Sequence, residues 1–411
     1  MANISKFLRA HWQQAVSVIL GLCAFCYWYL LCPHVLAGRE QTQLFLWDWP
    51  YLFSRLAQPG GLARYLGEFL TQFFYLVPLG ALVVSLLIVA VQRLSLKLFF
   101  RCGVSFRRLA VLLSLLPALL VWWLLMQTNV PMTLPVALTL QLWLLDVLSA
   151  HFKASRIKLF TLLISLLIPI AYWLLGPVAI LLALLPLFHT SQGSLLSLCL
   201  SLLFAACVVG SSYLVPYPLK QLARGIDYYW PDAHHFGTTE EMHYDLLLRQ
   251  QNWDALVRLA KKTPPPSRAC DNALRVALYH TGQLPEEELN ACLVESQRVL
   301  SSQVSAFIMS EVYMNMGMVN MAQRAAFEAM ESISNYNKSA RALRRLTETA
   351  VVTGQREVAR KYISILSKTL FYRGWAQRML PLVDHPEQLD RHPYYGKLRR
   401  MYAQTSDVFF I

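Results

Sequence analysis

Acidic residues are spread so unevenly along this 411-residue chain that their distribution alone fixes its broad architecture. Residues 1–226 hold four carboxylates, Glu40, Asp48, Glu68 and Asp146, among long runs of Leu, Val, Ile, Ala, Phe and Trp. The other twenty acids follow, in an ordinary polar sequence patterned for helices. Hydrocarbon tolerates no unpaired charge cheaply, so a charge-starved half joined to a charge-rich half reads as a membrane domain carrying a soluble one.

The formal charge of +13 carries no nucleic-acid signal once it is located along the chain. Fifteen of the 37 Lys and Arg precede Asp227 against those four acids, whereas the rest carries 22 bases against 20 acids. The excess sits in short loops between apolar runs: Arg93, Lys97, Arg101, Arg107 and Arg108, then Lys153, Arg156 and Lys158. That is the positive-inside pattern of a membrane protein, not a basic face on a folded domain.

The apolar runs predict about seven spans in a transmembrane domain over 1–216: 12–35, 69–91, 109–126, 130–150, 159–175, 177–190 and 195–215. The fourth follows a tight turn at Thr128-Asn129. The run from Leu159 to Phe188 decides the count. As one helix it would reach roughly 45 Å, well past a hydrocarbon core of about 30 Å. Gly176-Pro177 near its middle therefore splits it in two. Between the first two spans lies 36–68, too charged to span and too aromatic for a solvated loop. Trp47, Trp49, Tyr51 and Phe53 suit a headgroup interface. The first run lacks a recognisable cleavage site and reads as an uncleaved anchor.

With the N-terminus and the basic loops inside, seven spans place the C-terminal half outside, in the periplasm of a bacterial inner-membrane protein. A single tilted 159–188 helix would make six and place it in the cytoplasm, an alternative that Lys220 and Arg224 favour.

After a linker over 217–238, residues 239–411 predict an α-helical domain without period-two strand patterning. GMVNMAQRAAFEAM (Gly317 to Met330) and GQREVARKYISIL (Gly354 to Leu366) each place a glycine five residues before a small alanine, Ala322 and Ala359. QQNWDALVRLAKK fits the frame with Gln250 and Ala255. The steps between Gly282, Gly317 and Gly354 are about 35 and 37, near the 34-residue tetratricopeptide period. The fold class is thus all-α: a polytopic helical transmembrane domain, then a tetratricopeptide-like soluble domain. An irregular bundle is the alternative reading of the second part, and Pro264-Pro265-Pro266 is a stiff break inside it.

Cysteines supply no disulfide framework. Cys23, Cys26, Cys199 and Cys207 lie in apolar runs, where the C-x-x-C of GLCAFCYWYLL is helix packing rather than a redox loop. Cys270 and Cys292 can pair if their compartment is oxidising.

The stretches PGGLARYLGEFLTQFFY, GMVNMAQRAAFEAM and KTLFYRGWAQRML resemble an uncharacterised family of multi-pass bacterial membrane proteins, defined only as a domain of unknown function. The resemblance covers most of the chain, implies an inner-membrane location and supplies no activity. It also implies that the chain continues past Ile411, and the apolar end DVFFI suits a truncated helix array lacking a polar cap.

Glu40, Asp48 and Glu68 are the catalytic candidates. Acids in a first external loop beside interfacial aromatics look like the layout of lipid-linked, multi-pass glycosyltransferases of the GT-C type, where a carboxylate takes a proton as the sugar bond forms. Arg39, Arg55 and Arg64 would then pair with the lipid phosphate. The plainer reading is an amphipathic segment whose charges face water. Asp146 has His151 or Lys153 as expected partners. His234, His235 and His243 form a cluster with Glu240 and Glu241 but lack the spacing of a zinc site, so no metal or other cofactor is implied. No phosphate-binding loop, dinucleotide glycine set or nucleophile pair is present, which leaves enzymatic activity open. The partners expected are the bilayer and a protein bound through the helical domain, and the leading function is an envelope scaffold or binding module.

Overall fold

The computed structural model describes residues 2–404 except 105, 129, 152–156, 190–192, 227, 228, 230–235, 290–301 and 334–337, with side chains from Trp12 onward. Among these residues the structure is helical throughout, without strands. Its contacts divide the chain into two compact units, residues 1–33 with 49–232 and residues 34–48 with 233–411. The second unit is therefore built from two pieces of sequence, a short one that follows the first apolar helix and a long one that follows the last. The sequence reads 36–68 as one segment beside the membrane spans, whereas the contacts cut it at Trp49, because Leu44 and Phe45 are buried in the core of the second unit.

Six helices of the first unit are long and apolar enough to cross a membrane: Trp12–Leu31, Val77–Arg101, Arg107–Met126, Thr133–His151, Ile157–Leu175 and Gly193–Ser211. The first comprises α1 (Ala2–Cys26) and a π-helical turn over Tyr27–Leu31. A short helix α2 (Pro33–Glu40) follows it in sequence. Helices α3 (Trp49–Leu56) and α4 (Gly61–Thr71) precede α5 (Val77–Arg101), which starts eight residues later than the span expected from 69. The reason is local: Leu76 is extended, and Pro78 sits in the first helical turn, where its missing N–H costs nothing. Helices α6 (Arg107–Met126), α7 (Thr133–His151) and α8 (Ile157–Leu175) follow. Gly176 then breaks the chain at φ +80, and residues 177–188 form a shorter apolar segment centred on α9 (Ile180–Leu184). Helices α10 (Gly193–Ser211) and α11 (Leu219–Arg224) complete the unit. The expected turn residue Asn129 lies outside the described residues, as do Lys153 and Arg156 of the second basic loop.

Side chains tie these helices at known heights. At one end, Trp12 and Val16 of α1 pack with Leu96 and Phe99 of α5 and with Ala110 and Val111 of α6. One step deeper, Ser17 donates to Gln92 Oε1 (2.6 Å) and Gln92 Nε2 to Ser114 Oγ (2.9 Å), so a polar glutamine inside the bundle is satisfied from both sides. Arg101 holds Asp146 at 2.6 Å in place of the expected His151, and the other expected partner, Lys153, lies outside the described residues. His151 instead turns its ring onto its own helix, with Nδ1 2.8 Å from the Val147 carbonyl. At the other end, the Tyr172 hydroxyl lies 3.0 Å from Ser211 Oγ, and Trp173 Nε1 donates to the Leu56 carbonyl (2.9 Å).

The second unit contains α12 (Thr239–Arg249), α13 (Trp253–Lys262), α14 (Arg268–His280), α15 (Gln303–Asn315), α16 (Val319–Glu331), α17 (Ala340–Val352), α18 (Arg356–Leu366), α19 (Arg373–Asp384), α20 (Pro386–Arg391) and α21 (Pro393–Gln404). Four turns share one geometry. Gly282, Gly317, Gly354 and Gln251 all have φ between 54 and 81. At each, the amide bonds back three residues and the next amide five, as in Gly317 to Met314 and Met318 to Tyr313. This is the Schellman cap, whose left-handed residue is ordinarily glycine. The frame expected from Gln250 and Ala255 is off by one: Gln251 takes the left-handed position, and Leu256 is the fully buried residue five places on, matching Ala322 and Ala359. Cys270 is buried as a free thiol, and Cys292 lies outside the described residues, as does the apolar end 405–411.

Candidate functional site

The three candidate carboxylates do not gather. Glu40 and Asp48 belong to the second unit and Glu68 to the first.

Glu68 is the centre of a compact cluster built by the α3–α4 hairpin. The hairpin closes because residue 61 is glycine: a Cβ there would lie 2.1 Å from the Arg55 carbonyl oxygen. Gly67 likewise lets α4 approach the backbone of Thr133, 2.7 Å from where its Cβ would be. The next residue, Glu68, is all but removed from solvent and accepts from Arg55 Nε (2.8 Å), Arg64 Nε (2.9 Å) and the Tyr51 hydroxyl (2.5 Å). The Arg55 guanidinium also lies over the Tyr51 ring and donates to its hydroxyl at 3.0 Å. Burial opposes charge on Arg55, but Glu68 and Tyr51 outweigh it and raise its pKa. Burial, with the Glu68 charge, drives the Tyr51 phenol well above its ordinary value. The cluster lies beside a helix face on which Trp49 and Phe53 are exposed.

Residues 34–48 carry the other candidates. Backbone amides of Leu44 and Trp47 donate to the Lys338 and Lys368 carbonyls (2.8 and 2.9 Å), and Lys368 Nζ pairs with Asp48 at 3.0 Å. Glu40 is buried and accepts from the Tyr372 hydroxyl (3.2 Å). Burial raises its pKa, against the pull of Arg249, Tyr372 and Arg341. Arg39 is also buried, and burial lowers it to about 10.

Beside this segment runs a buried ionic chain that sequence reasoning missed. Arg341 bonds Asp245 bidentately (2.8 and 2.9 Å), Glu311 (3.1 Å) and the side chain of Gln41 (2.7 Å). Arg345 holds the other Glu311 oxygen at 2.5 Å and Glu348 at 2.9 Å, and Glu348 accepts from Tyr395 at 3.2 Å. Burial alone would raise the Glu311 carboxyl, yet Arg345 and Arg341 pull it down to about 2. The signal was present in RALRRLTE, whose arginines and glutamate repeat at three and four residues, but that spacing usually marks a solvated face.

The model of a family of unknown function, DUF6057, matches residues 10–411. The chain belongs to that family. No curated protein and no solved structure matches. The DUF6057 match spans both units, so the split second unit falls inside a single family architecture.

In this DUF6057 chain the histidine candidates separate. His234 and His235 lie outside the described residues, whereas His243 stacks on His34 with ring centroids 4.9 Å apart. Burial, then His243, pulls His34 down to about 4 against the opposing Glu240, and burial lowers His243 too. Glu241 caps α12: its Oε2 accepts from the Thr238 amide (3.1 Å) and the Ser302 hydroxyl (3.0 Å). Among the described residues no three His, Cys, Asp or Glu side chains converge as metal ligands.

Proposed function

We propose that this chain is an inner-membrane protein of seven crossings that holds an α-helical, tetratricopeptide-like domain in the periplasm as an envelope scaffold or protein-binding module. The observation that carries the reading is the composition of the second unit. Residues 34–48 and 233–411 pack as one body although residues 49–232, with five of the six long apolar helices, lie between them. Two segments folded together occupy one side of the membrane, so the chain crosses an even number of times between them. Five long helices, α5, α6, α7, α8 and α10, make an odd number, and residues 177–188 supply the sixth crossing.

Two contacts support that return. Tyr172 and Ser211 meet near the C-terminal ends of α8 and α10, so these helices run parallel and the chain must come back between them. At the far end of the short segment, His189 Nε2 lies 3.3 Å from Ser149 Oγ, level with the end of α7. At 1.5–2 Å per residue the segment covers about 20 Å, and so short a crossing is tolerable where protein buries it. Ala179, Leu182, Ala183 and Leu185 are buried. The basic ends of α5 and α6 give the direction, inside for Arg101 and Arg107 and outside for the second unit.

The binding role is favoured because the unit already holds an extended segment, residues 44–47, through backbone donors to carbonyls between its helices. Parallel fusions of a periplasm-active phosphatase and a cytoplasm-active galactosidase after Ile411 test the placement. Phosphatase activity is expected, and galactosidase activity would overturn the seven-crossing reading. The Glu68 cluster favours a second function, a GT-C-like transferase whose lipid-linked phosphate pairs with Arg55 and Arg64. Glu68→Gln would then abolish lipid-dependent sugar transfer, and unchanged transfer in that variant would remove the reading.

A further inference from the structure

Between α1 and α5 the first unit carries a groove of about 350 Å³ that opens on the outer surface of the bundle. Its floor is made by small residues. Gly21 has no side chain to fill it, and a Cβ there would already meet Val89 at 3.0 Å. Ser85 turns its hydroxyl away, onto its own Ala81 carbonyl at 2.7 Å. The walls are apolar: Leu22 and Phe25 on α1, Leu82 and Leu86 on α5, with Leu22 and Leu86 largely exposed. Only one mouth is polar, where Gln14 and Arg93 stand at the level fixed by the Ser17–Gln92 hydrogen bond.

Arg93 is partly buried and makes no ion pair among the described residues, unlike Arg101 two turns further along α5, which has Asp146. A guanidinium inside the basic end of a span needs an anion or a route to water. From Arg93 to Leu82 the groove runs about 16 Å at helical rise, half of a hydrocarbon core of about 30 Å. A helix from a second copy would need a seam through both leaflets. One acyl chain beneath one headgroup fits a single leaflet.

We infer that this groove is a binding site for an anionic phospholipid of the cytoplasmic leaflet, its phosphate on Arg93 and Gln14 and an acyl chain between Leu22, Phe25, Leu82 and Leu86. The site is independent of the scaffold reading, because it uses only the membrane unit. Charge near a membrane surface is worth about 1 kcal/mol per basic residue, so Arg93 confers roughly a fivefold preference for an anionic over a zwitterionic headgroup.

The experiment is native mass spectrometry of the full-length protein titrated in detergent with phosphatidylglycerol or phosphatidylcholine. Wild type is expected to retain phosphatidylglycerol about fivefold more tightly, Arg93→Gln to lose the preference, and Arg93→Lys to keep part of it. Leu22→Trp, which fills the groove from its exposed wall, lowers retention of both lipids. Equal retention of the two lipids by wild type overturns the inference, as does a preference that survives in Arg93→Gln. A dimer that Leu22→Trp dissociates also overturns it, since the groove would then seat a second copy.

Discussion

The two units use arginine–carboxylate pairs in opposite ways. In the membrane unit the buried pairs stay local, near an end of the bundle. Arg101 meets Asp146 where the basic loops begin, and Arg55 and Arg64 close on Glu68 beyond the other end of the spans. In the second unit exposed pairs such as Arg324–Glu328 stand apart, but the buried ones join into one chain from Asp245 through Arg341, Glu311 and Arg345 to Glu348. Low dielectric forbids stray charge in both places, but among the described residues only the second unit buries a row of charges, because its helices supply a partner on every side. The membrane unit keeps its interior to hydroxyls and amides such as Ser17, Gln92 and Ser114. Local pairs thus fix ends, whereas a chain fixes register among helices and the strap of residues 34–48.

The largest effect expected follows from breaking the chain. Arg341→Met leaves Asp245 and Glu311 buried without their shared cation and costs about 3–5 kcal/mol, read as a fall in the melting temperature of the purified protein. A melt within a degree of wild type would show that the chain is not holding the unit. Glu68→Gln in the membrane unit keeps a hydrogen-bond acceptor but removes the charge between two guanidiniums, costing about 1–3 kcal/mol. Should it cost more than Arg341→Met, the contrast between local cluster and chain would be reversed. Asp146→Asn frees Arg101, which is one-third exposed, and screening limits the loss to about 1 kcal/mol or less. Lys368→Ala, whose partner is Asp48, is smaller still, because Lys368 is more than half exposed.

Acid probes the buried groups of the second unit in turn. His34 falls from 6.5 to about 4 on folding, so the unfolded chain binds the extra proton in that window and stability declines as pH drops through it. Glu311 falls from 4.5 to about 2, so the stability it contributes is complete above 4.5 and is lost between 4.5 and 2. Melts of His34→Gln against pH are expected to lose the upper decline and retain the lower. An unchanged profile would contradict the burial of the His34–His243 stack.

Much of this was legible in the residues. The shortage of acids before Asp227 announced the spans, and the glycines at 282, 317 and 354 announced their turns, because only an unhindered residue enters the left-handed region cheaply. Gln251 adopts the same turn without the residue that advertises it, which shifted the expected frame by one. The cut at Trp49 was not legible. WDWPYLF is as aromatic on one side of the cut as on the other, and periodicity cannot say that Leu44 and Phe45 pack with residues some three hundred positions away. Nor could it show that RALRRLTE faces inward, since charge spacing is the same on a wet face and on a buried one. The site followed the same pattern. Glu68, Arg55 and Arg64 were each singled out, but as a catalytic acid and phosphate partners rather than as partners of one another, and the partners of Glu40 and Asp48, Tyr372 and Lys368, are contributed from the far end of the chain.

Everything proposed for the second unit depends on residues 34–48 folding with 233–411 on the outer side of the membrane. The Trp47 amide and the Lys368 carbonyl are hydrogen-bonded at 2.9 Å, and both side chains are exposed. Trp47→Cys with Lys368→Cys, in a background without the native cysteines, places two thiols side by side in full-length protein in intact cells. A short membrane-impermeant bismaleimide is expected to join them, recovered as one crosslinked peptide pair. Reagent that reaches the thiol at position 47 but not the one at position 368 would place the two segments on opposite faces and contradict the shared fold.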